Sequence, residues 1–165
     1  FLIFKDKFNA KPPGGNGFFP HFDGIFEFKD QSDKIRKGWY EYGNFFVNVL
    51  VALDDCNEKN GTIEIANRFK KNDFEYLIEF TKKNGTPELN TISVKKCKFE
   101  KIVLKKGDIV LFSNICPHKS EKNISNEDRR TLYYTYLSKN FGHQYEKYFH
   151  DKELSKNKTS KSLDD

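Results

Sequence analysis

No run in this sequence comes near the ~20 consecutive apolar residues that a membrane-crossing helix needs, so a membrane is not among its expected partners. Cysteine is scarce. Cys56, Cys97 and Cys116 form no Cys-x-x-Cys pair and their number is odd, which fits a reduced, cytoplasmic setting better than a disulfide framework. Lysine is scattered among acidic residues with no Arg-rich run and no stripe of alternating basic and aromatic residues, so nucleic acid is not expected as a ligand. Methionine is missing, and the chain opens at Phe1 inside a strand-like run; both predict a piece of a longer polypeptide. Hydrophobic residues reach only 36%, yet 17 Phe and 8 Tyr stand among 165 residues. Large rings must therefore fill much of the interior, as suits a β-rich single domain. The net charge of +5 fits a solvated lysine surface first and an anionic small-molecule partner second.

Against that background two short stretches stand out, Pro20-His21-Phe22-Asp23-Gly24 and Cys116-Pro117-His118-Lys119-Ser120. On an extended backbone side chains repeat with period two, so His21 and Asp23 share one face and Phe22 takes the other. His118 from a distant strand would complete two imidazoles and one carboxylate, the facial set that leaves open positions on non-haem iron. Ser120 shares the face of His118. Cys116 does too, and with the same ligands it would suit zinc instead. Arg129 and Arg130 are adjacent and must face opposite sides of a strand, so only one can point inward.

The ordered set Lys11-Pro12-Pro13-Gly14-Gly15, His21-Phe22-Asp23, Leu53-Asp54-Asp55, Asn60-Gly61, Gly107-Asp108-Ile109-Val110-Leu111-Phe112, His118-Lys119-Ser120, Asn123-Ile124-Ser125 and Arg129 resembles the phytanoyl-CoA dioxygenase family. The likeness runs over roughly residues 5–137. It implies a double-stranded β-helix, the cupin-like jelly roll, and an Fe(II)- and 2-oxoglutarate-dependent dioxygenase that uses O2 to hydroxylate an unactivated C–H bond. His21, Asp23 and His118 become the metal ligands. The far carboxylate of 2-oxoglutarate needs a bidentate arginine, and the family's spacing selects Arg129, with Arg130 as the alternative. Ser120 would add a hydroxyl to that carboxylate. Asn48 and Leu50, on one face of a strand, would line the same pocket. The Asp23 carboxylate argues for hydroxylation rather than halogenation. The expected substrate is a small anionic metabolite, an aminoalkylphosphonate or an acyl-type compound. The competing classes are a non-redox cupin-type metalloprotein and a jelly-roll binding module.

Taken in order, residues 1–11 read as strand, and Lys11 to Gly17 as a turn set by two prolines and three glycines. The aperiodic segment from Ile25 to Tyr42 reads as a lid carrying Trp39 and Tyr40. Phe45 to Leu53 and Thr62 to Ala66 read as strands. Asp73 to Lys83 has helical spacing closed by Asn84-Gly85, giving one internal helix. Phe99 to Leu104 is expected to pair with Ile109 to Phe112 through the Lys106-Gly107-Asp108 turn. Arg129 to Leu137 supplies the last strand. The expected organisation is an oxygenase core over 1–140, followed by a C-terminal helix and polar tail over 141–165.

Overall fold

The computed structural model describes residues 1–24, 28–29, 35–36, 38–66, 81–83 and 86–161. The chain is mainly β and folds as two facing antiparallel sheets, a double-stranded β-helix. Strands β1 (Leu2–Lys11), β5 (Phe46–Ala52), β10 (Ile109–Ser113) and β12 (Arg129–Leu137) form one sheet in the order β1-β12-β5-β10. The second sheet has the order β7-β8-β2-β11-β6-β9. Its strands are β2 (Phe18–His21), β6 (Ile63–Ile65), β7 (Thr81–Lys83), β8 (Thr86–Glu88), β9 (Glu100–Lys101) and β11 (His118–Ser120). A small hairpin of β3 (Phe28–Lys29) and β4 (Ile35–Arg36) stands apart.

Alternation along β5 shows why this sheet has an inside. Phe46, Asn48, Leu50 and Ala52 are buried, while the valines between them are half-buried on the other face. Leu50 and Ala52 meet Ile63 and Ile65 of the opposite sheet, with Cys56, Leu104 and Phe112 completing that core. At the other end, Phe4, Trp39, Phe46 and Leu137 form a second cluster. Beyond β8, α1 (Thr91–Lys96) starts where the Asn90 side chain accepts a hydrogen bond from the Ser93 amide, a standard N-cap. The C-terminal α2 (Tyr145–Lys161) packs Tyr148 onto Phe4, with ring centroids 4.7 Å apart.

Two sequence expectations need correction. Thr81–Lys83 is not helical; it pairs with Thr86–Glu88 across positions 84 and 85. Asn-Gly is the preferred dipeptide of tight hairpin turns as well as a helix stop, and tertiary pairing selects the hairpin. The remainder of the expected 73–83 helix lies outside the described residues. Nor does the 99–104 segment pair with 109–112. The Lys106-Gly107-Asp108 turn docks on the end of β5, with Gly107 N–H on Ala52 O at 2.8 Å and Ala52 N–H on Asp108 O at 3.0 Å. That contact passes the chain to the other sheet, so β10 pairs with β5 and β9 with β6.

Half of the expected lid also lies outside the described residues. Of its aromatic candidates, Trp39 is buried to 4% exposure against Phe4 and Phe46. Gly24 allows this approach: a Cβ there would come within 2.2 Å of the indole, and its φ is +76°. Tyr42 donates a hydrogen bond to Asp151 of α2 at 2.8 Å. Trp39 and Tyr42 thus anchor this stretch to the barrel. Phe4 sits at the centre of these rings, with no exposure. Phe4→Ala should therefore lower the unfolding free energy by about 3–5 kcal/mol in urea titration, the usual loss for a buried phenylalanine.

Candidate active site

Strands β2 and β11 pair antiparallel, and their register sets His21 opposite His118. The two imidazole centroids are 4.2 Å apart. Asp23, one turn beyond β2, places its Oδ1 3.9 Å from His21 Nε2 and its Oδ2 3.7 Å from His118 Nε2. Ligand atoms of all three residues lie within 4.8 Å of one another.

Each ring is oriented by its far nitrogen. His21 Nδ1 lies 2.8 Å from Phe19 O, and His118 Nδ1 lies 3.0 Å from Cys116 O. A carbonyl only accepts, so each Nδ1 carries a proton and each Nε2 is the ring nitrogen that faces Asp23. Burial, reinforced by the neighbouring His118, pushes the pKa of His21 down to about 4, so it is neutral at pH 7. Burial alone would raise the Asp23 pKa. His118, Lys5 and His21 nearby, together with a hydrogen bond from Asn48, outweigh it and hold the carboxyl below its usual range.

Asn48 does something different from what its place on the strand suggested. Its Nδ2 donates to Asp23 Oδ2 at 2.7 Å, while its Oδ1 accepts from Thr135 Oγ1 at 2.8 Å. It is a relay that fixes one carboxylate oxygen. Leu50 lies in the core between the sheets, 1% exposed, opposite Tyr133 of β12.

The two arginines separate as a period of two requires. Arg130 is exposed and makes a bidentate pair with Asp54, both contacts at 2.8 Å. Arg129 points inward, 2% exposed, and its Nε has no hydrogen-bond partner; the same holds for the buried Thr131 Oγ1 two residues on. Beside Arg129 on β1 stands Lys11, which pairs with it in register and is 3% exposed. Its Nζ donates to Gly61 O at 3.0 Å, Ser120 Oγ at 2.9 Å and Glu121 O at 2.6 Å. These acceptors are all neutral. Burial and the adjacent Arg129 lower the Lys11 pKa to about 8. Two buried cations with no carboxylate in salt-bridge range among the described residues, two orphaned donors and a serine hydroxyl make a pocket that fits a carboxylate.

Cys116 stays out of the imidazole–carboxylate cluster. Its Sγ lies 3.7 Å from Ala66 O, and burial first, then the nearby Cys97, push its pKa up to about 11. The convergent ligand atoms are those of His21, Asp23 and His118 alone among the described residues.

A family model described as phytanoyl-CoA dioxygenase (PhyH) matches residues 2–131. The chain belongs to the phytanoyl-CoA dioxygenase family. Among curated relatives it is 30% identical over 152 residues to a 2-aminoethylphosphonate dioxygenase of the uncultured bacterium HF130_AEPn_1, covering 92% of this chain and 51% of that protein. It is 28% identical over 154 residues to a methylphosphonate hydroxylase of Gimesia maris, covering 93% and 52%. The chain thus spans about half the length of these relatives. Among solved structures it superposes on the epimerase SnoN, crystallised with Fe3+, alpha-ketoglutarate and nogalamycin RO, with a TM-score of 0.58 at 14% identity, over 82% of this chain and 49% of that one. At that identity the likeness concerns the shared fold.

Sequence reasoning missed two residues of this phytanoyl-CoA dioxygenase-family site. Lys11 was legible only as the start of a proline-glycine turn. Asn114, fully buried, brackets Asp23: its carbonyl accepts the Asp23 amide at 3.0 Å, and its side chain reaches Asp23 O and the Phe46 amide at 3.4 Å each. An asparagine after an apolar strand gives no sequence signal of this kind. Asn114→Ala keeps the backbone bond to the Asp23 amide but removes the side-chain partner of Asp23 O and of the Phe46 amide, and should cost about 1–3 kcal/mol of stability by thermal or urea unfolding.

Proposed function

We propose that this chain is the catalytic core of an Fe(II)- and 2-oxoglutarate-dependent dioxygenase that hydroxylates a C–H bond of a small anionic metabolite, most simply an organophosphonate. The observation that carries this reading is the convergence of His21, Asp23 and His118 within 4.8 Å, next to a buried cationic pocket. Two imidazoles and one carboxylate are the donor set of a facial triad. Bound there, iron with 2-oxoglutarate and O2 would supply the oxidising power for hydroxylation, with succinate and carbon dioxide as co-products. The two similar phosphonate enzymes support the substrate class.

The protein's own part is positioning. The Nδ1–H bonds to Phe19 O and Cys116 O aim both imidazoles, and Thr135 and Asn48 hold Asp23 Oδ2. Arg129 and Lys11 would take the far carboxylate of 2-oxoglutarate, with Ser120 between them: its oxygen accepts from Lys11 and from the Phe18 amide, which leaves its own hydroxyl hydrogen to donate. Thr131 would contribute a second hydroxyl. The core around Leu50 and Tyr133 borders this pocket and limits water. Enzyme activity of this kind is tested by succinate formation with Fe(II) and 2-oxoglutarate across phosphonate and acyl-type substrates.

Two outcomes are expected. Replacing His21, Asp23 or His118 by Ala should abolish Fe(II) binding and 2-oxoglutarate consumption with the far-ultraviolet dichroism retained; wild-type iron affinity in all three variants would remove the assignment. Arg129→Ala should raise the KM for 2-oxoglutarate by roughly one to two decades, the worth of a charge-assisted bidentate contact of about 1.5–3 kcal/mol. Arg130→Ala should change it less than about threefold, because its partner is the exposed Asp54.

A further inference from the structure

Strand β1 carries its charges on the wrong side for an ordinary barrel strand. Residues opposite one another in an antiparallel pair share a face. The register pairs Lys5 with Thr135, Lys7 with Tyr133, Asn9 with Thr131 and Lys11 with Arg129. Thr135, Thr131 and Arg129 are buried and Tyr133 packs on the core, so this is the inner face. The outer face of β1 holds Ile3, Asp6 and Phe8, of which Phe8 is 58% exposed. An apolar ring is thus left in solvent, while the inner-face register carries three lysines, of which Lys11 is buried, Lys5 half-buried and Lys7 exposed. Lys11 belongs with Arg129. Lys5 and Lys7 do not, and the reading above gives them no task.

Each places its ammonium over an aromatic ring beside the imidazole–carboxylate cluster. Lys5 Nζ lies 4.2 Å from the centre of the Trp39 ring, which rests on Gly24, the residue after Asp23. Lys7 Nζ lies 5.0 Å from the centre of the Phe18 ring, itself 6.4 Å from the His21 ring. Neither lysine has a carboxylate in salt-bridge range among the described residues. Residues two apart on a strand are separated by roughly 7 Å, a span from which two flexible ammonium groups can close on one oxyanion.

The geometry points to Lys5 and Lys7 as a clamp for the doubly charged tetrahedral oxyanion of the substrate, a phosphonate or phosphate monoester, separate from the Lys11–Arg129 pocket and flanking His21 and Asp23. The inference rests on the oxygenase reading for the identity of the site, but not for the binding itself. A dianion with three terminal oxygens is matched by two point charges that can turn to meet it. A carboxylate carries half that charge and gains less from the second lysine. Trp39 and Phe18 hold the two ammonium groups over their ring faces, within reach of an anion at the cluster.

The experiment measures calorimetric dissociation constants for 2-aminoethylphosphonate, methylphosphonate, O-phosphoethanolamine and β-alanine. It uses the wild type and the Lys5→Met, Lys7→Met, Lys5→Arg and Lys7→Arg variants. Anaerobic protein with Fe(II) and 2-oxoglutarate is used, then metal-free protein. Each methionine variant should weaken phosphonate binding roughly ten- to a hundredfold, each arginine variant should retain most of it, and β-alanine should bind weakly throughout. Tighter binding of O-phosphoethanolamine than of the phosphonates keeps the clamp and names a phosphate ester as its ligand. Unchanged phosphonate affinity in both methionine variants overturns the clamp, as does the absence of binding by all four probes. An equal loss of 2-oxoglutarate affinity also overturns it, since that is general damage. Consumption of 2-oxoglutarate in air separates the two readings. Lysine-dependent phosphonate binding without it leaves the clamp and removes the oxygenase; consumption with lysine-independent binding does the reverse.

Discussion

The register between β2 and β11 is the constraint on which the site depends. His21 faces His118 across a single antiparallel pair, and a slip of one residue would turn one imidazole to the opposite face. Short strands of four and three residues do not hold register by themselves. It is held from outside. Gly17, just before β2, lies so close to the Ser120 carbonyl that a Cβ there would come within 2.2 Å of it. The Phe18 amide donates to Ser120 Oγ, and Lys11 ties Ser120 to Gly61 and Glu121. The Asp23 amide is fixed separately on Asn114 O. The two imidazoles and the carboxylate are therefore over-determined by backbone contacts, which would keep the donors of the proposed metal site in place before an ion arrives.

A second constraint is electrostatic. Buried charge without a partner is unfavourable by several kcal/mol, so a fold that keeps Lys11 and Arg129 side by side gains from any anion that joins them. The serine hydroxyl and the glycine and glutamate carbonyls satisfy the ammonium hydrogens but neutralise nothing. Folding of the β1–β12 pair and binding of a diacid are thereby linked: a carboxylate that meets both cations stabilises the folded chain by mass action. The proline-glycine turn after Lys11 serves the same end. Gly15 N–H bonds Pro12 O at 2.8 Å across Gly14 at a φ of +80°, the geometry of a type II turn, and Gly14 and Gly15 are both stapled to the Asn123 backbone.

Much of this was legible because strand periodicity is local. His21 and Asp23 on one side with Phe22 buried on the other, and Arg129 and Arg130 on opposite sides of β12, follow from a period of two, while the choice of Arg129 as the inward one came from the family resemblance. What escaped was non-local. Whether Asn84-Gly85 stops a helix or turns a hairpin depends on which strand is available to pair, and β2 offers His21 to Glu88. Whether β10 pairs with β9 or β5 depends on where the Gly107 turn docks. Lys11 looked like one surface lysine among many, since nothing in its neighbours announces burial. Asn48 had the right face but the wrong partner, because a carboxylate 25 positions earlier in the chain cannot be seen from the strand.

One irregularity joins the packing to the charge. The β1–β12 register shifts between Ile3 and Lys5, so β1 has one residue more than its partner at Phe4. A bulge lets two successive residues lie on the same side of the sheet. Phe4 and Lys5 both use this: Phe4 fills the aromatic cluster with Trp39, Phe46 and Tyr148, while Lys5 lies over the outer part of the same indole. Without the extra residue, one of the two would face solvent. Trp39 then touches core on one side, a cation on another and Gly24 beneath, so the ring that closes the hydrophobic cluster also fixes the backbone one residue past Asp23. Tyr148 of α2 contacts both Phe4 and Trp39, so the helix seals the same cluster. Tyr148 of the C-terminal helix is thus two ring contacts from the backbone beside Asp23.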